Sequence, residues 1–140
     1  MTTKFLLYPQ LRMEVKGSFE DLADYDRQMK EWVDEQYPHP YSDSLTYYVI
    51  NTLYDSCDLD KYKESNIGEI LYDEDEAQQI YKFCKWFGDL IDSISLHTNE
   101  TNSDYLNHPE WSKVYIGAKE MYELMDRNDK KYHFSEIANS

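Results

Sequence analysis

Glycine, proline and cysteine are scarce in this 140-residue chain, which contains four glycines, four prolines and two cysteines. All-β sandwiches and barrels need many tight turns, and glycine and proline are the residues that usually form them. Their scarcity disfavours those folds and favours helices with short connections. Cys57 and Cys84 are expected to be reduced thiols, because a lone pair in a cytosolic protein of this size is rarely a disulfide.

Basic residues are also few, since 14 lysines and arginines stand against 28 aspartates and glutamates, which gives a net charge of −14. Phosphate binding needs clustered lysine and arginine, so direct binding of nucleic acid is disfavoured. No apolar stretch approaches the length that spans a bilayer, and the apolar run within Met1–Pro9 is too short for a signal peptide. We expect a cytoplasmic protein without a membrane segment.

Aromatic residues make up 16% of the chain, which supplies ample apolar area for a hydrophobic core. No repeat, linker or change of composition divides the sequence, so we expect one domain over residues 1–140, with 127–140 as a loosely held tail. The predicted class is mainly α, a single compact domain of about four to six helices. An irregular acidic segment interrupts them, and a short strand pair there is an alternative.

Two amphipathic helices are predicted in the first third of the chain. The first begins at Pro9 and places Leu11, Val15, Phe19 and Leu22 on one face. The second is capped by Asp24, has apolar positions at Tyr25, Met29, Trp32 and Val33, and stops at Tyr37–Pro40. Further on, residues 45–53 favour a helix over a strand, and residues 67–72 form either a short extended piece or a helical turn.

Two stronger helices are predicted in the second half. Asp73 and Glu76 form an acidic variant of the capping box, and apolar residues at helical spacing follow at Ala77, Ile80, Cys84, Phe87, Ile91 and Ile94. The last helix starts within Asn107–Glu110, with His108 as part of its start, and its apolar positions are Trp111, Val114, Ala118, Met121, Tyr122 and Met125.

The segment from Tyr41 to Ala77 carries ten carboxylates against two lysines, a local balance of −8. A surface of one sign speeds the encounter with an oppositely charged partner, so this segment predicts a basic partner. Carboxylates in the first turn of a helix also offset its dipole. We therefore attribute Asp73 and Glu76 to capping and expect Glu74 and Asp75 to point outward.

The residues predicted to contact the partner are five charge partners, two flanking acids and two aromatic anchors. The charge partners are Asp55, Asp58, Asp60, Glu64 and Glu69, the flanking acids are Glu74 and Asp75, and the anchors are Tyr54 and Tyr62. Tyrosine offers a large contact area at low entropic cost and is therefore frequent at interfaces. The alternative interpretations are a solvated loop for the acids and core packing for half of the six tyrosines between Tyr41 and Ala77.

Signatures of catalysis and metal binding are missing from the sequence. Asp58 and Asp60 have the alternate spacing of a calcium loop, but the central glycine and the closing glutamate are not at their required offsets. The four histidines have no metal-ligand spacing, and there is no phosphate loop, nucleophile elbow or zinc signature. Neighbouring aspartates are expected to raise the pKa of the Cys57 thiol. We expect no catalytic residue, no metal and no cofactor.

A set of short motifs gives the chain a family resemblance. In order, these motifs are Leu11-Arg12, Leu22-Ala23-Asp24, Trp32 followed by Tyr37-Pro38-His39, Leu53-Tyr54-Asp55, Ile67-Gly68, Leu71, Glu76-Ala77, Asp104-Tyr105-Leu106 and Pro109-Glu110-Trp111. With them the chain resembles a family of small bacterial proteins that includes immunity proteins of contact-dependent growth inhibition and related toxin systems. The resemblance implies neutralisation of a cognate toxin, often a nuclease, in the cytosol, and it supplies no catalytic motif.

The leading hypothesis is an immunity protein that binds a basic nuclease toxin and blocks its RNA- or DNA-binding cleft by steric and electrostatic occlusion. Two alternatives stay open. One is a non-catalytic interaction or regulatory module whose acidity serves solubility. The other is an enzyme in which several carboxylates converge on a metal ion.

Overall fold

A computed structural model of the chain describes residues 4–24, 49, 52–54, 56–97 and 108–135, with the backbone alone for 94–97. Three α-helices account for most of these residues: α1 (Pro9–Leu22), α2 (Glu74–His97) and α3 (Trp111–Lys131). The predicted class, mainly α in a single compact domain, is confirmed. None of the helices in these ranges is long and apolar enough to cross a membrane.

Helix α1 begins at the predicted residue and buries the predicted face. Pro9 is its first residue, where the missing N–H of proline leaves no helical bond unmade. Val15, Phe19 and Leu22 have no exposed surface, and Leu11 is half-buried. The same face also carries Arg12, which is fully buried although it is charged.

Helices α2 and α3 also have the predicted starts. The Glu76 N–H donates to Asp73 Oδ1 over 2.9 Å, so Asp73 is the N-cap of α2. Before α3, the Glu110 N–H donates to His108 Nδ1 over 3.1 Å, which confirms His108 as part of that helix start. The predicted apolar positions are buried, apart from half-buried Tyr122 and from Ile94, whose side chain is outside the described set: Ala77, Ile80, Cys84, Phe87 and Ile91 on α2, and Trp111, Val114, Ala118, Met121 and Met125 on α3.

A chain of aromatic rings joins the three helices at the centre of the core. Phe19 on α1 meets Phe83 on α2 edge to face at 5.7 Å between ring centroids. Phe83 stacks on Phe87 at 5.8 Å, and Phe87 meets Trp111 on α3 at 5.7 Å. Such pairs contribute packing beyond their buried area. One continuous core therefore holds all three helices.

A smaller apolar cluster closes the other end of the domain. It is formed by Leu6, Tyr72 and Tyr132, with Phe134 against them. The chain before α1 is tied to the turn after residue 66, because the Leu7 N–H donates to the Gly68 carbonyl over 2.9 Å. Gly68 has a φ of +96°, a conformation that glycine adopts without strain.

Residues 45–53 and 67–72 are the two segments for which the sequence allowed either helix or extended structure. Where the structure describes them, both contain turns. Residues 67–72 form a turn with a single isolated parallel bridge between Ile67 and Leu71, and the described residues contain no strand. A 3-10 turn, Glu64–Asn66, precedes it. Residues 52–54 lie in a wide helical turn, in which the Cys57 N–H donates to the Thr52 carbonyl over 3.2 Å.

The expectation of a loosely held tail over 127–140 is wrong for residues 127–135. Helix α3 continues to Lys131, Asn128 is buried, and Tyr132 is 6% exposed. The apolar spacing ends at Met125, but polar side chains continue the buried face by forming hydrogen bonds with α1 and α2, as described below. Residues 136–140, the predicted helix over 25–37 and most of 45–53 lie outside the described residues.

Candidate functional site

An open cleft lies between α2 and the loop that contains Asp60. We call it the acidic cleft; its volume is ≈ 290 Å³ and its lining is Tyr54, Asp60, Lys85, Gly88, Asp89, Ile91 and Asp92. Three of these residues are carboxylates. Lys85 Nζ lies 3.4 Å from Asp89 Oδ1, so one of the three is paired inside the cleft and two negative charges are left over.

Tyr54 forms a fixed wall of the acidic cleft. Its hydroxyl donates to the Cys84 carbonyl on α2 over 2.8 Å, and its ring lies beside Phe87 at 6.5 Å. The ring also lies against α2 at Gly88, where a Cβ would be in van der Waals contact with Tyr54 Cε1 at 3.4 Å. Burial raises the pKa of Tyr54, and the nearby carboxylates of the cleft raise it further. The phenol therefore stays neutral, and Tyr54 is a rigid surface rather than the projecting anchor that the sequence suggested.

Tyr62 is the more accessible of the two predicted anchors. It is 38% exposed, and its ring meets the ring of Tyr81 on α2 edge to face at 6.0 Å. Residues 81, 85, 88 and 92 follow one another at spacings of four and three, so they share a face of α2. Tyr62 therefore stands one helical turn from the acidic cleft, on the same side of α2.

Asp58 is largely occupied within its own loop. Its Oδ2 lies 3.0 Å from Lys63 Nζ, and its Oδ1 lies 3.9 Å from Lys61 Nζ. The hydrogen bond from Lys63 and the charges of both lysines hold its pKa below the ordinary value. Both lysines of the acidic segment thus pair with Asp58, whereas Asp60 lines the acidic cleft. Asp55 lies outside the described residues.

The remaining predicted acids belong to another part of the surface. Glu74 and Asp75 are exposed in the first turn of α2, as expected, while Glu69 is half-buried in the turn before it. Glu64 is exposed at the start of the 3-10 turn. Because a helix rises 1.5 Å per residue, Glu74 and the Asp92 end of the cleft are separated by roughly 27 Å along the axis. The predicted binding residues therefore do not form one patch.

A buried network of charged and polar residues connects the three helices at the start of α2. We call it the Arg12 network. Arg12 donates to both carboxylate oxygens of Glu76, at 2.5 and 2.9 Å, and to Asp129 Oδ1 at 2.7 Å. Its remaining N–H groups donate to the carbonyls of Ile70 and Met125, each over 3.1 Å. All five donors of the guanidinium are used.

The rest of the Arg12 network satisfies the two carboxylates. Glu76, with no exposed surface, also accepts from Asn128 Nδ2 at 2.8 Å and from the Tyr72 N–H at 3.0 Å. Asp129 Oδ2 lies 2.8 Å from Lys16 Nζ, which also reaches Asp126 at 2.9 Å. Burial tends to lower the pKa of Arg12, but the hydrogen bonds and charges of its acid partners outweigh it and raise the pKa.

Glu76 therefore does more than the capping assigned to it. Its carboxylate accepts from the amide before the N-cap, and its main partner is Arg12, 64 positions earlier in the chain. A signal was present in the sequence. Arg12 lies on the apolar face three residues before Val15, and Glu76 lies four residues before Ile80. Charged residues of opposite sign on two buried faces indicate an internal ion pair.

Both cysteines are free and buried among the described residues. Burial raises the pKa of Cys57 to about 11, and the largest charge contribution comes from Glu14. The predicted direction is therefore right, but burial rather than the neighbouring aspartates is the main cause. Burial also raises the pKa of Cys84. Neither thiol is activated as a nucleophile.

Asp89 and Asp92 are the site residues that the sequence reasoning missed. They lie outside the Tyr41–Ala77 segment, at exposed positions of α2. The sequence pattern of this helix predicted only its buried apolar face. Their spacing of three placed them on one face of α2 together with Lys85. The loop that carries Asp60 forms the other side of the cleft. The sequence did not predict the path of this loop. In the described ranges, no group of three or more histidine, cysteine or acidic side chains could hold a metal ion.

The arrangement defines a class: an acidic, mainly α-helical domain with a structural ion network and a concave site suited to a cationic group. The chain belongs to the DUF7945 family, a domain of unknown function, whose model matches residues 6–133. Comparison with curated proteins found no match, and comparison with solved structures found none either.

Proposed function

We propose that the protein is a cytoplasmic immunity protein that binds and neutralises a cognate bacterial toxin, with a basic nuclease domain as the partner. The observation that carries the proposal is the acidic cleft, where Asp60, Asp89 and Asp92 surround a recess with surplus negative charge. A lysine or arginine side chain of the toxin enters this recess. Its aliphatic stem packs on Ile91 and Tyr54, and its charge pairs with the carboxylates.

Surrounding features support a protein partner over a small ligand. Tyr62 is exposed one helical turn from the cleft, and aromatic residues next to charge pairs exclude water and strengthen those pairs. The net charge of −14 adds a long-range attraction toward a basic surface. Binding at this site covers the nucleic-acid cleft of the toxin, so neutralisation is steric and electrostatic, and the immunity protein needs no catalysis.

Cofactors have no part in this mechanism, and neither does direct binding of nucleic acid. The predicted acids now differ in role. Asp60, with Asp89 and Asp92, supplies the central contact, and Tyr62 is the anchor beside it. Glu64, Glu69, Glu74 and Asp75 belong to a more distant acidic surface that acts through steering, since steering depends on the summed field rather than on contact.

The test measures the association rate with the toxin domain encoded beside this gene, by stopped-flow fluorescence. Between about 50 and about 500 mM salt, we expect the rate to fall by on the order of 10- to 100-fold, because salt screens the long-range attraction. A rate that stays flat with ionic strength would contradict the proposal, as would normal growth of toxin-expressing cells without this protein.

A matched pair of variants locates the interface. Asp60→Asn/Asp89→Asn/Asp92→Asn removes three charges from the acidic cleft, and Glu14→Gln/Glu20→Gln/Glu123→Gln removes three exposed charges from α1 and α3. Both variants have the same net charge. We expect the cleft variant to lose protection against the toxin and the control to retain it. Equal protection by both would show that only total charge matters and would reject the cleft as the contact.

A further inference from the structure

A second, apolar groove lies between α2 and α3, away from the acidic cleft. Its volume is ≈ 460 Å³, and its apolar lining is Phe83, Trp86, Ile116, Gly117 and Met121. Ile116 is 61% exposed, the most exposed of the large apolar side chains that the structure describes. A β-branched apolar residue with this exposure at the edge of an apolar groove is typical of a contact surface.

Gly117 gives the groove its floor. A Cβ at this position would come within 2.6 Å of Phe83 Cε1, which real Cβ atoms do not tolerate. The glycine therefore lets the Phe83 ring lie directly against the backbone of α3. Phe83 and the adjacent backbone of α3 thus form the floor of the groove.

The charges around the groove differ from those of the rest of the molecule. Lys82, Lys113 and Glu120 line it, and Glu110 pairs with Lys113 at 2.8 Å, so the charges at its edge balance on a protein whose net charge is −14. Residues 79, 82, 83 and 86 form the α2 side of the groove, whereas residues 85, 88, 89 and 92 form the cleft, and at 100° per residue these sets occupy different faces of α2. Two copies of this acidic protein that meet through the groove keep their acidic clefts apart.

The order of residues along α3 is self-complementary about Ile116 and Gly117. If two copies of α3 pack antiparallel on a two-fold axis between these residues, each position meets the position equally far beyond the axis in the other copy. Lys113 then faces Glu120 of the second copy, and Glu120 faces Lys113 of the second copy. Ile116 of each copy faces the Gly117 position of the other, where the Phe83 ring supplies the apolar surface. This is the reciprocal pairing that a two-fold interface requires.

We propose that the groove between α2 and α3 is a homodimer interface, occupied by a second copy of this chain, with the two α3 helices antiparallel about Ile116 and Gly117. Two Lys113–Glu120 pairs flank the axis, and two Ile116 side chains fill the apolar grooves. The acidic cleft of each copy faces outward, because it is on another face of α2. The dimer is of the small, reversible kind, because its contacts centre on one helix pair.

The test is sedimentation equilibrium of the purified full chain over a range of concentrations. We expect the average mass to rise from 16.9 kDa toward twice that value, with a dissociation constant on the order of 10 µM. Ile116→Glu should raise the dissociation constant by at least about ten-fold, since each dimer then buries two unpaired charges. Met13→Glu makes the same kind of change at an exposed apolar residue of α1 (Met13 is 43% exposed) and should leave the dissociation constant unchanged.

Charge exchange tests the two-fold pairing itself. Lys113→Glu and Glu120→Lys each place like charges opposite one another twice per dimer, and each should weaken dimerisation by about three- to ten-fold. The double variant restores opposite charges and should return within about two-fold of the wild type. Lys113 also pairs with Glu110 at 2.8 Å, but that pair is exposed and adds little to the fold.

Three results would overturn the proposal. The first is a monomer at every concentration up to about 1 mM, where even a weak dimer would form. The second is an unchanged dimer in Ile116→Glu, which would place the interface elsewhere. The third is a charge-exchanged double variant as weak as its parents. None of these measurements uses the toxin, so the dimer and the proposed function stand or fall separately.

Discussion

The Arg12 network and the acidic cleft lie toward opposite ends of α2. Both contain carboxylates and basic side chains, but these groups have different roles in the two regions. In the network, Glu76 is fully buried, and every donor of Arg12 has an acceptor. In the cleft, Asp89 is 66% exposed at its side chain, and the lining has one lysine, paired with Asp89, against three acids. A carboxylate whose bonds are completed inside the protein serves the fold, whereas one that retains surplus charge at a recess can bind a partner.

The largest expected effect is the loss of one network carboxylate. Glu76→Gln leaves buried Arg12 with a single charged partner, and the free energy of unfolding should fall by about 3 kcal/mol. Glu74→Gln is the matched control, because Glu74 is exposed two residues earlier in the same helical turn, and it should change stability by less than about 0.5 kcal/mol. Urea denaturation measures both. Equal losses would remove the distinction between the two regions.

The next effect concerns the residue between network and surface. Asp73 caps α2 and accepts from the Tyr132 hydroxyl at 2.7 Å. Asp73→Ala should cost about 1 to 2 kcal/mol. Asp75→Ala removes an exposed side chain that accepts from Gln79, and it should cost less than about 0.5 kcal/mol. Thermal unfolding of both variants measures the two losses. Equal losses would indicate a general preference for acids in the first turn rather than capping by Asp73.

Asp73 also gives a pH dependence. Burial tends to raise its pKa, but the Glu76 N–H and the Tyr132 hydroxyl outweigh burial and hold the pKa below the ordinary value. Its contribution is therefore complete above the unfolded pKa of about 3.9 and is lost as the pH falls through the folded value. The wild type should lose stability more steeply than Asp73→Ala below about pH 4. Parallel curves would contradict this assignment.

A smaller effect is expected at the exposed edge of the Arg12 network. Lys16 pairs with Asp126 and Asp129 and is partly exposed, so Lys16→Met should cost about 1 kcal/mol after allowance for solvent screening. Burial tends to lower the pKa of Lys16, but its two acid partners raise it above 10.5. Its contribution is full below pH 10.5 and is lost as the pH rises through the folded pKa. Guanidinium denaturation at pH 7 and pH 11 measures it, and a loss in Lys16→Met that does not shrink at pH 11 would contradict it.

The smallest effect on stability is expected at the acidic cleft. Asp60→Asn/Asp89→Asn/Asp92→Asn should change the free energy of unfolding by less than about 0.5 kcal/mol or raise it slightly, because the three acids repel one another. Urea denaturation at low salt measures this free energy. A loss of about 2 kcal/mol or more would make the cleft a structural feature like the Arg12 network.

The sequence predicted the helices better than it predicted the site. The apolar spacing of α2 and α3 predicted their buried faces, since a residue such as Phe87 or Trp111 is placed by local periodicity alone. The partnership of Arg12 with Glu76 and Asn128 joins residues far apart in the chain, and only the packing of three helices creates it. For the same reason, periodicity ended the last helix too early, because its final turns are buried through polar contacts.

The acidic segment shows the same limit at the surface. The local charge balance indicates Asp60, which lines the acidic cleft, but Asp89 and Asp92 come from a helix outside that segment. The sequence positions of Asp58 and Glu76 predict a binding role for Asp58 and a capping role for Glu76. In the structure, Asp58 pairs with two lysines of its own loop, and Glu76 pairs with Arg12. A charge count cannot separate acids with partners from acids without them.

The most direct test is the affinity of the proposed toxin partner for two variants of equal net charge. Isothermal titration compares Asp60→Asn/Asp89→Asn/Asp92→Asn with Glu14→Gln/Glu20→Gln/Glu123→Gln. We predict that the dissociation constant rises by at least about 100-fold in the cleft variant and by less than about three-fold in the control. Equal dissociation constants for the two variants would contradict the central claim that the acidic cleft is where a basic partner binds.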